Sequence, residues 1–238
     1  MPNVTSILAE LKKKGTERAR KTYARHGMPA EHVFGVSIAD LKIIAKGIKG
    51  QQSLACDLYA TGKMEAMYLA GLVADGSQMT RAQLNGWALG AANFAMIAEY
   101  TVPWVAVENP QARALAIQWI KAKQEQVASA GWCTYAGLVA TREDVELDLA
   151  QIEDLLNQIV RGPGGAQNRV RYTMNGFVIA VGVYVKPLSA KAMAAAQAMG
   201  TVSVAMGATA CKVPLAAAEI RNAVTAGRIG RKRKTIRC

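Results

Sequence analysis

Helical periodicity runs through almost the whole of this 238-residue sequence. Apolar residues recur at three- and four-residue intervals, and the strict alternation that typifies half-buried strands is absent. Only 7 residues are proline, so few positions are barred from a helix interior. Apolar residues make up 51% of the chain and charged residues 19%, which is enough apolar surface for a buried core. The sequence therefore predicts an all-α fold.

Start and stop signals divide the chain into at least eleven helices joined by short links. Ser37 and Thr80 are predicted N-caps, because their hydroxyls can accept backbone N–H groups of a first helical turn. The strongest break is the run Arg161-Gly-Pro-Gly-Gly165. Beyond it we predict helices at Ala166–Val185, Ser189–Met199, Val202–Ala210 and Leu215–Ala226.

The succession of helices favours an α-solenoid. Helix pairs that recur roughly every 35–45 residues suit a stack of HEAT-like repeats, an α-α superhelix with a concave binding face. An irregular all-α bundle is the alternative. We predict a single HEAT-like domain over residues 1–226 and a basic C-terminal tail over residues 227–238.

Positive charge is concentrated in the last third of the chain. Residues 1–154 contain 16 basic and 16 acidic side chains, whereas residues 155–238 contain 13 basic side chains and one acidic side chain, Glu219. The resulting net charge of +12 indicates a polyanionic partner, either nucleic acid or an anionic membrane surface. Arg228–Arg237 contains six basic residues without a large apolar cluster beside them, which favours nucleic acid over a membrane. A solvated, disordered tail is the alternative for this segment.

Several classes of site and location are disfavoured by the sequence. The two histidines and the cysteines Cys56, Cys133, Cys211 and Cys238 lack metal-ligand or disulfide-framework spacing, so we predict no metal and no cofactor. The first residues lack a secretory signal, and the uncharged stretch 192–211 is too rich in alanine to insert in a membrane. We expect a cytoplasmic, nucleoid-associated monomer.

Four stretches together resemble one known family. They are Thr22-Tyr-Ala-Arg-His26, the run from Val33 to Leu41 with its lysine-rich helix, Ala210-Cys-Lys-Val-Pro214, and the basic ending from Gly227 to Cys238. These stretches resemble the bacterial DNA alkylation-repair proteins of the AlkD type. The resemblance implies HEAT-like repeats with a basic concave face that cradles duplex DNA, and release of positively charged N-alkylated purines by hydrolysis of the glycosidic bond.

The family pattern also implies where a DNA cleft would lie. A carboxylate stabilises an oxocarbenium-like sugar, and aromatic faces complement a cationic base. The family tyrosine falls at Tyr23, and the family's tryptophan and the aspartate four residues later fall at Phe94 and Ala98. Thr134 falls at the family arginine, and Phe177 at the second tryptophan. Glu99, next to Ala98, is the candidate catalytic carboxylate, and Trp132 and Tyr135 are further aromatic candidates for the cleft.

The leading prediction is therefore a DNA-binding protein of this family. It would clamp duplex DNA through the sugar–phosphate backbone of the DNA during recognition or repair of alkylated bases. Two alternatives remain open: an active N-alkylpurine DNA glycosylase with a non-standard site, and a helical scaffold that binds protein or RNA. The predicted phosphate ligands are Arg169, Arg171, Lys212, Arg228, Arg231, Lys232, Arg233, Lys234 and Arg237.

Overall fold

A computed structural model describes residues 2–92, 94–162 and 165–237. Every regular element within those residues is helical, which confirms the predicted all-α class. A π-helix, Ile97–Thr101, runs directly into the seventh α-helix. The α-helices are α1 Val4–Lys14, α2 Glu17–Arg25, α3 Ile38–Gly47, α4 Gln52–Ala60, α5 Met64–Val73, α6 Arg81–Gly90, α7 Val102–Ala106, α8 Ala112–Ile120, α9 Glu125–Thr141, α10 Leu149–Arg161, α11 Asn168–Tyr184, α12 Ser189–Met199 and α13 Ala216–Thr225.

Side-chain caps define several helix starts as the sequence predicted. The Ser37 hydroxyl accepts the N–H of Asp40 at 3.1 Å at the start of α3. At the start of α6, the Thr80 hydroxyl accepts the N–H of Gln83 at 3.2 Å, and the Gln83 side chain accepts the N–H of Thr80 at 2.9 Å. These bonds satisfy N–H groups that have no partner inside the helix, so both predicted N-caps are confirmed.

The contacts of the chain divide it into two compact units. The first contains Met1–Pro110 and the short segment Met206–Cys211, and the second contains Gln111–Ala205 and Lys212–Cys238. The boundaries predicted from the sequence, one domain over residues 1–226 with a tail over 227–238, stay a prediction. Residues 227–237 belong to the second unit.

Helix α5 forms the centre of the first unit. Nine of its ten residues are buried, so the helix is enclosed on all faces rather than along one stripe. It packs against α3, α4 and the π-helix. At Gly71, an added Cβ would lie 2.5 Å from Cγ2 of Thr101, so the absence of a side chain allows α5 and the π-helix to approach closely.

The second unit is built around two 17-residue helices, α9 and α11. They pack against each other, while α8 contacts α9, and α12 and α13 contact α11. Trp132 from α9 and Phe177 from α11 are fully buried in the shared core. Helix α10 contributes the apolar face of an amphipathic helix, with Ile152, Leu155, Leu156 and Ile159 buried.

Within each unit, acidic side chains accept hydrogen bonds from backbone N–H groups that lie far away in the sequence. The donors and acceptors are between 29 and 44 residues apart in the chain. This separation is comparable to one HEAT-like repeat, as expected when neighbouring helix pairs stack in sequence order. The carboxylates are Glu65, which binds residues 34–36, Glu108, which binds Gly76, Glu125, which binds Arg169, and Asp144, which binds Lys186.

The prediction of a helix at Val202–Ala210 is wrong. Gly200 ends α12 at a φ of 59°, and the chain then has no helix until Ala216. The Asn168 side chain accepts the N–H of Ala205 at 2.7 Å and donates to its carbonyl at 2.9 Å. The backbone groups of Ala205, in the middle of this segment, are thus bound by a side chain and not by helical hydrogen bonds.

Within the described residues, no single helix combines the length and the apolar composition needed to cross a membrane. The helical segments Asn168–Tyr184 and Lys186–Met199 are separated by a bend of 113°. They satisfy both criteria only when they are counted as one span.

Candidate nucleic-acid interface

In the first unit, the predicted cleft residue Tyr23 supports a loop. Its side chain is buried, and its hydroxyl donates to the carbonyl of Val36 at 2.6 Å. Burial, with the nearby Glu65 carboxylate as a lesser cause, raises the pKa of Tyr23 to about 12. The ring is therefore a neutral hydrogen-bond donor at physiological pH, and it fixes α2 against the loop that follows it.

The same loop encloses Glu65, which the sequence analysis did not identify. The Glu65 carboxylate is fully buried and accepts the N–H groups of Phe34, Gly35 and Val36 at 2.6–3.1 Å. Successive N–H groups that converge on a carboxylate compensate its buried charge. The sequence signal was weak, because a glutamate in the first turn of a helix is ordinarily a solvated residue that favours the helix dipole.

The candidate catalytic residue Glu99 lies in the π-helix. The N–H of Val102 donates to the carbonyl of Ile97, five residues earlier, so this turn holds one more residue than an α-helical turn. Glu99 is buried with 7% of its surface exposed, and Ala98 beside it is also buried. Phe94 is buried just before this turn and contacts the ring of His32 edge to face, with ring centroids 5.5 Å apart.

In the second unit, three of the predicted cleft aromatics form a cluster in the core, with Phe177 between the other two. The Phe177 ring packs edge to face against Trp132 and Tyr135, with centroids at 5.2 and 5.7 Å. The Tyr135 hydroxyl donates to Oε1 of Gln151 at 2.8 Å, and burial raises the pKa of Tyr135 to about 12. Thr134 is also fully buried, and its hydroxyl, like the Trp132 indole N–H, has no hydrogen-bond partner within the part of the chain described.

The two arginines at the start of α11 hold neighbouring segments. The backbone N–H of Arg169 donates to Glu125 at 2.7 Å, and its guanidinium lies 4.4 Å from the centroid of the Tyr172 ring. The Arg171 guanidinium donates to the carbonyls of Ser203 and Ala166 at 3.1 and 2.8 Å. Arg171 therefore fixes the irregular segment after α12 as well as carrying positive charge.

Residues 227–237, here called the C-terminal strap, are fastened to the second unit by their backbone. The N–H of Gly230 donates to the carbonyl of Val183 at 2.8 Å, and the N–H of Arg233 donates to the carbonyl of Ala140 at 2.7 Å. These acceptors lie in the last turns of α11 and α9, where carbonyl groups lack helical partners. The strap therefore runs across the carboxyl ends of the two central helices.

Lys232 anchors the strap between those two helix ends. Its ammonium group lies 2.7 Å from Oδ1 of Asp144 and donates to the carbonyls of Val139 and Tyr184 at 3.0 and 2.7 Å. Only 8% of the Lys232 side chain is exposed. A cation at the carboxyl ends of two helices also complements both helix dipoles.

The remaining predicted phosphate ligands differ from Lys232 in exposure. Arg237 is half-buried, whereas Lys212, Arg228, Arg231, Arg233 and Lys234 are exposed. In the strap, Arg231, Arg233 and Lys234 therefore face solvent on either side of an inward-facing Lys232. The sequence could not single out Lys232, because it is one of six similar residues in a short basic run. The roles predicted for these residues in DNA contact stay predictions.

Comparison with known proteins defines the family. A family model described as DNA alkylation repair enzyme matches residues 7–206. Proteins of Listeria monocytogenes serovar 1/2a and Listeria innocua serovar 6a, both named as uncharacterized, are 30% and 29% identical over 206 residues, covering 85% of this chain and 89% of each relative.

One solved structure matches the entire chain. It belongs to a protein described as one of a new family related to the HEAT-like repeat DNA glycosylases with affinity for branched DNA structures. The TM-score is 0.90 with 34% identity, and the match covers 100% of both chains. The chain thus has the HEAT-like fold predicted from its sequence, and it belongs to the DNA alkylation repair family of AlkD-type proteins.

Proposed function

We propose that this protein binds DNA through the phosphodiester backbone and that the C-terminal strap supplies the main cationic contacts. The observation that carries this proposal is the buried anchor at Lys232, which fixes the strap while Arg231, Arg233 and Lys234 remain exposed. The relative with a solved structure is described as having affinity for branched DNA, which supports DNA as the partner. Branched DNA is therefore included with duplex DNA as a ligand.

A fixed strap binds a polyanion with a smaller loss of conformational entropy than a flexible tail does. A disordered basic tail loses conformational entropy when it is ordered on DNA, whereas an anchored segment has already lost it in folding. Each phosphate that a basic side chain neutralises releases counterions, so affinity falls as salt rises. Arg169, Arg171, Lys212, Arg228 and Arg237 are proposed as further contacts, and the concave basic face that would cradle a duplex clamp stays a prediction.

Binding is favoured over base excision because of the residues at the family's catalytic positions. By the resemblance, Phe94 and Ala98 stand where the family has a tryptophan and an aspartate. An alanine offers no group to stabilise an oxocarbenium-like sugar or to position water. We therefore propose recognition of DNA, in association with alkylation damage, as the principal function.

A salt titration with a matched pair of variants tests this function. Arg231, Arg233 and Lys234 are replaced by glutamine together, and the control replaces the exposed Lys121, Lys123 and Arg161 of the same unit, which removes the same charge. Anisotropy is measured with a labelled duplex and a labelled four-way junction. The strap variant should reduce the slope of log affinity against log salt by up to about 2.7, or about 0.9 per phosphate contact. Equal slopes in the wild type and the strap variant would contradict the proposal.

The variant Lys232→Met tests the anchor separately. It keeps the three exposed cations but removes the side-chain bonds of Lys232, leaving only the backbone bonds to hold the strap. We expect weaker DNA binding than in the wild type, because ordering of the strap then accompanies association. Unchanged affinity would show that the strap conformation does not matter for binding.

Glycosylase activity is a second candidate, and the π-helix is the observation that favours it. The extra residue in this turn shifts the register of the helix by one position. The buried Glu99, one residue after Ala98, is therefore the candidate for the catalytic carboxylate that Ala98 lacks. Alkylated duplex DNA should then release free methylated purine, and Glu99→Gln should abolish that release while DNA binding persists. An undamaged duplex is the substrate control. Absence of base release at enzyme concentrations above that of the DNA would exclude this activity.

A further inference from the structure

Residues 1–154 have no net charge as a whole, but their first third is strongly basic. Residues 1–49 contain ten lysines and arginines and four acidic residues, whereas residues 50–154 contain six basic and twelve acidic residues. The first three helices therefore carry a second concentration of positive charge, in the first unit and separate in sequence from the strap. None of the phosphate ligands predicted from the sequence lies in it.

Helix α2 presents this charge on one face. Arg18, Lys21 and Arg25 follow the i, i+3, i+7 spacing that places side chains above one another on a helix. All three are exposed, and their side chains make no ion pair or hydrogen bond with any residue that the structure describes. These three residues are called the α2 basic face.

Two of the four acidic residues among residues 1–49, Glu17 and Asp40, are paired with other cations. Glu17 pairs with Arg20 at 3.3 Å, and Arg20 also donates to the carbonyl of Phe34 at 2.7 Å. Asp40 lies 3.7 Å from the Lys14 ammonium group. These two carboxylates therefore do not compensate the charge of the α2 basic face.

A cleft lies at the carboxyl end of the α2 basic face. It has a volume of about 390 Å³ and is lined by Thr22, Arg25, His26 and residues 208–211, with no acidic residue among them. The N–H of Ala208 donates to the carbonyl of Arg25 at 3.0 Å, which holds the 208–211 segment against the end of α2. Arg25 and His26 therefore line one concave site, and the backbone holds the opposite wall in place.

We propose that the α2 basic face and its cleft bind a phosphodiester strand of DNA, as a second contact surface besides the strap. Seven residues of helix span about 10 Å, which matches about three phosphates of one strand. A membrane surface is the poorer partner, because Tyr23, the one large apolar side chain of α2, is buried and no apolar anchor remains on the helix. This inference rests on the proposed DNA-binding function and adds a surface in the first unit to it.

The test compares two triple variants of equal charge with a labelled four-way junction. One replaces Arg18, Lys21 and Arg25 by glutamine. The other, called the α3 variant, replaces by glutamine the exposed Lys42 and Lys46 of α3 and the exposed Lys49 just after it. Affinity is measured by anisotropy over a range of salt concentrations, and circular dichroism verifies that both variants fold. The α2 variant should weaken binding and reduce the salt slope by about 2–3, with a smaller effect of the α3 variant.

The outcomes separate this inference from the proposed function. If the wild type does not bind the junction, the DNA-binding function itself fails. If the wild type binds and the strap variant loses affinity while the α2 variant keeps both affinity and slope, only the second surface is refuted. Equal losses in the α2 and α3 variants would also refute it, since they would reflect net charge rather than a defined surface.

Discussion

The Oε1 atom of Glu65 lies 2.6 Å from the backbone nitrogen of Gly35, at the centre of a loop that wraps around the carboxylate. Gly35 has a φ of 86°, and an added Cβ would lie 2.5 Å from the carbonyl oxygen of Thr16. Only glycine combines that left-handed backbone with the available space. The N–H groups of Phe34 and Val36 bind the same carboxylate. A buried charge on α5 thereby fixes the connection between α2 and α3.

The variant Glu65→Gln should destabilise the protein strongly. The amide oxygen can take the place of Oε1, which accepts all three N–H groups, but it carries no negative charge. The NH₂ group then replaces Oε2 and faces the N–H of Phe34 in a fully buried site. We expect a loss of about 2–3 kcal/mol in the free energy of unfolding, measured by urea denaturation. The exposed Glu10→Gln on α1 is the control and should change stability by less than about 0.5 kcal/mol. Equal stabilities of the two variants would contradict the importance of this carboxylate.

The hydrogen bond from Tyr23 to Val36 should make stability depend on pH in the alkaline range. The pKa of Tyr23 is raised by burial, and less by Glu65, from 10.0 to about 12. The folded state therefore binds the phenolic proton more tightly than the unfolded state does. Its contribution is complete below pH 10 and is lost as the pH rises to about 12.

Urea denaturation of the wild type and Tyr23→Phe at several pH values tests this linkage. At pH 8 the variant should be less stable by about 1 kcal/mol, the usual net value of one hydrogen bond. The wild type should then lose stability more steeply than the variant between pH 10 and pH 12, so that the difference narrows. Parallel pH profiles would show that Tyr23 ionises equally in both states.

The variant Lys232→Met should unfasten the C-terminal strap. It leaves Asp144 without its cation and two carbonyl groups without a donor, so we expect a loss of about 2–4 kcal/mol in the free energy of unfolding. Hydrogen exchange at the amides of Gly230 and Arg233 should accelerate, because both are hydrogen-bonded only while the strap is docked.

A matched control and a double variant distinguish the anchor from a general charge effect. The exposed Lys234→Met should change stability by less than about 0.5 kcal/mol. In the double variant with Asp144→Asn, the loss should be smaller than the sum of the two single losses, by about 1–3 kcal/mol, because the two groups interact directly. Strict additivity would show that Lys232 and Asp144 act independently.

Two helical glycines of the second unit should respond to alanine in opposite directions. At Gly131 a Cβ would lie 2.5 Å from the backbone nitrogen of Ile120 and 2.9 Å from the carbonyl oxygen of Ala116, so α8 and α9 would have to separate. At Gly176 a Cβ would meet nothing within 4 Å. We expect Gly131→Ala to cost about 1–3 kcal/mol through overpacking. Gly176→Ala should stabilise the protein by about 0.5–1 kcal/mol through helix propensity. Thermal unfolding of both variants measures the difference, and a stabilised Gly131→Ala would contradict the close packing.

Local patterns predicted the helices well where the signals lie close together in the chain. The N-caps at Ser37 and Thr80 depend on residues three positions apart, and the break after Arg161 depends on adjacent glycines and a proline. The segment from Val202 to Ala210 was misjudged for the converse reason. Its alanines favour a helix locally, but its backbone is bound by the distant Asn168.

For the candidate site, too, the sequence indicated some residues and missed others. The sequence predicted Trp132, Tyr135 and Phe177 as cleft residues, and that role stays a prediction. In the structure the Phe177 ring packs against the other two rings inside the second unit. Nothing in the sequence indicated that Glu65 is enclosed by residues 34–36, or that Lys232 binds Asp144. Those pairs are separated by 30 and 88 residues and involve charges that ordinarily remain in water.

The sequence by itself determined the all-α class, the family and the concentration of positive charge, because helical periodicity, composition and short motifs are local properties. Only the tertiary structure decided which charges face solvent. A lysine or glutamate is buried when distant carbonyl, carboxylate or N–H groups converge on it and compensate its lost hydration, and that convergence depends on packing. For this reason Lys232 is an anchor, while Arg231, Arg233 and Lys234 beside it remain available to a polyanion.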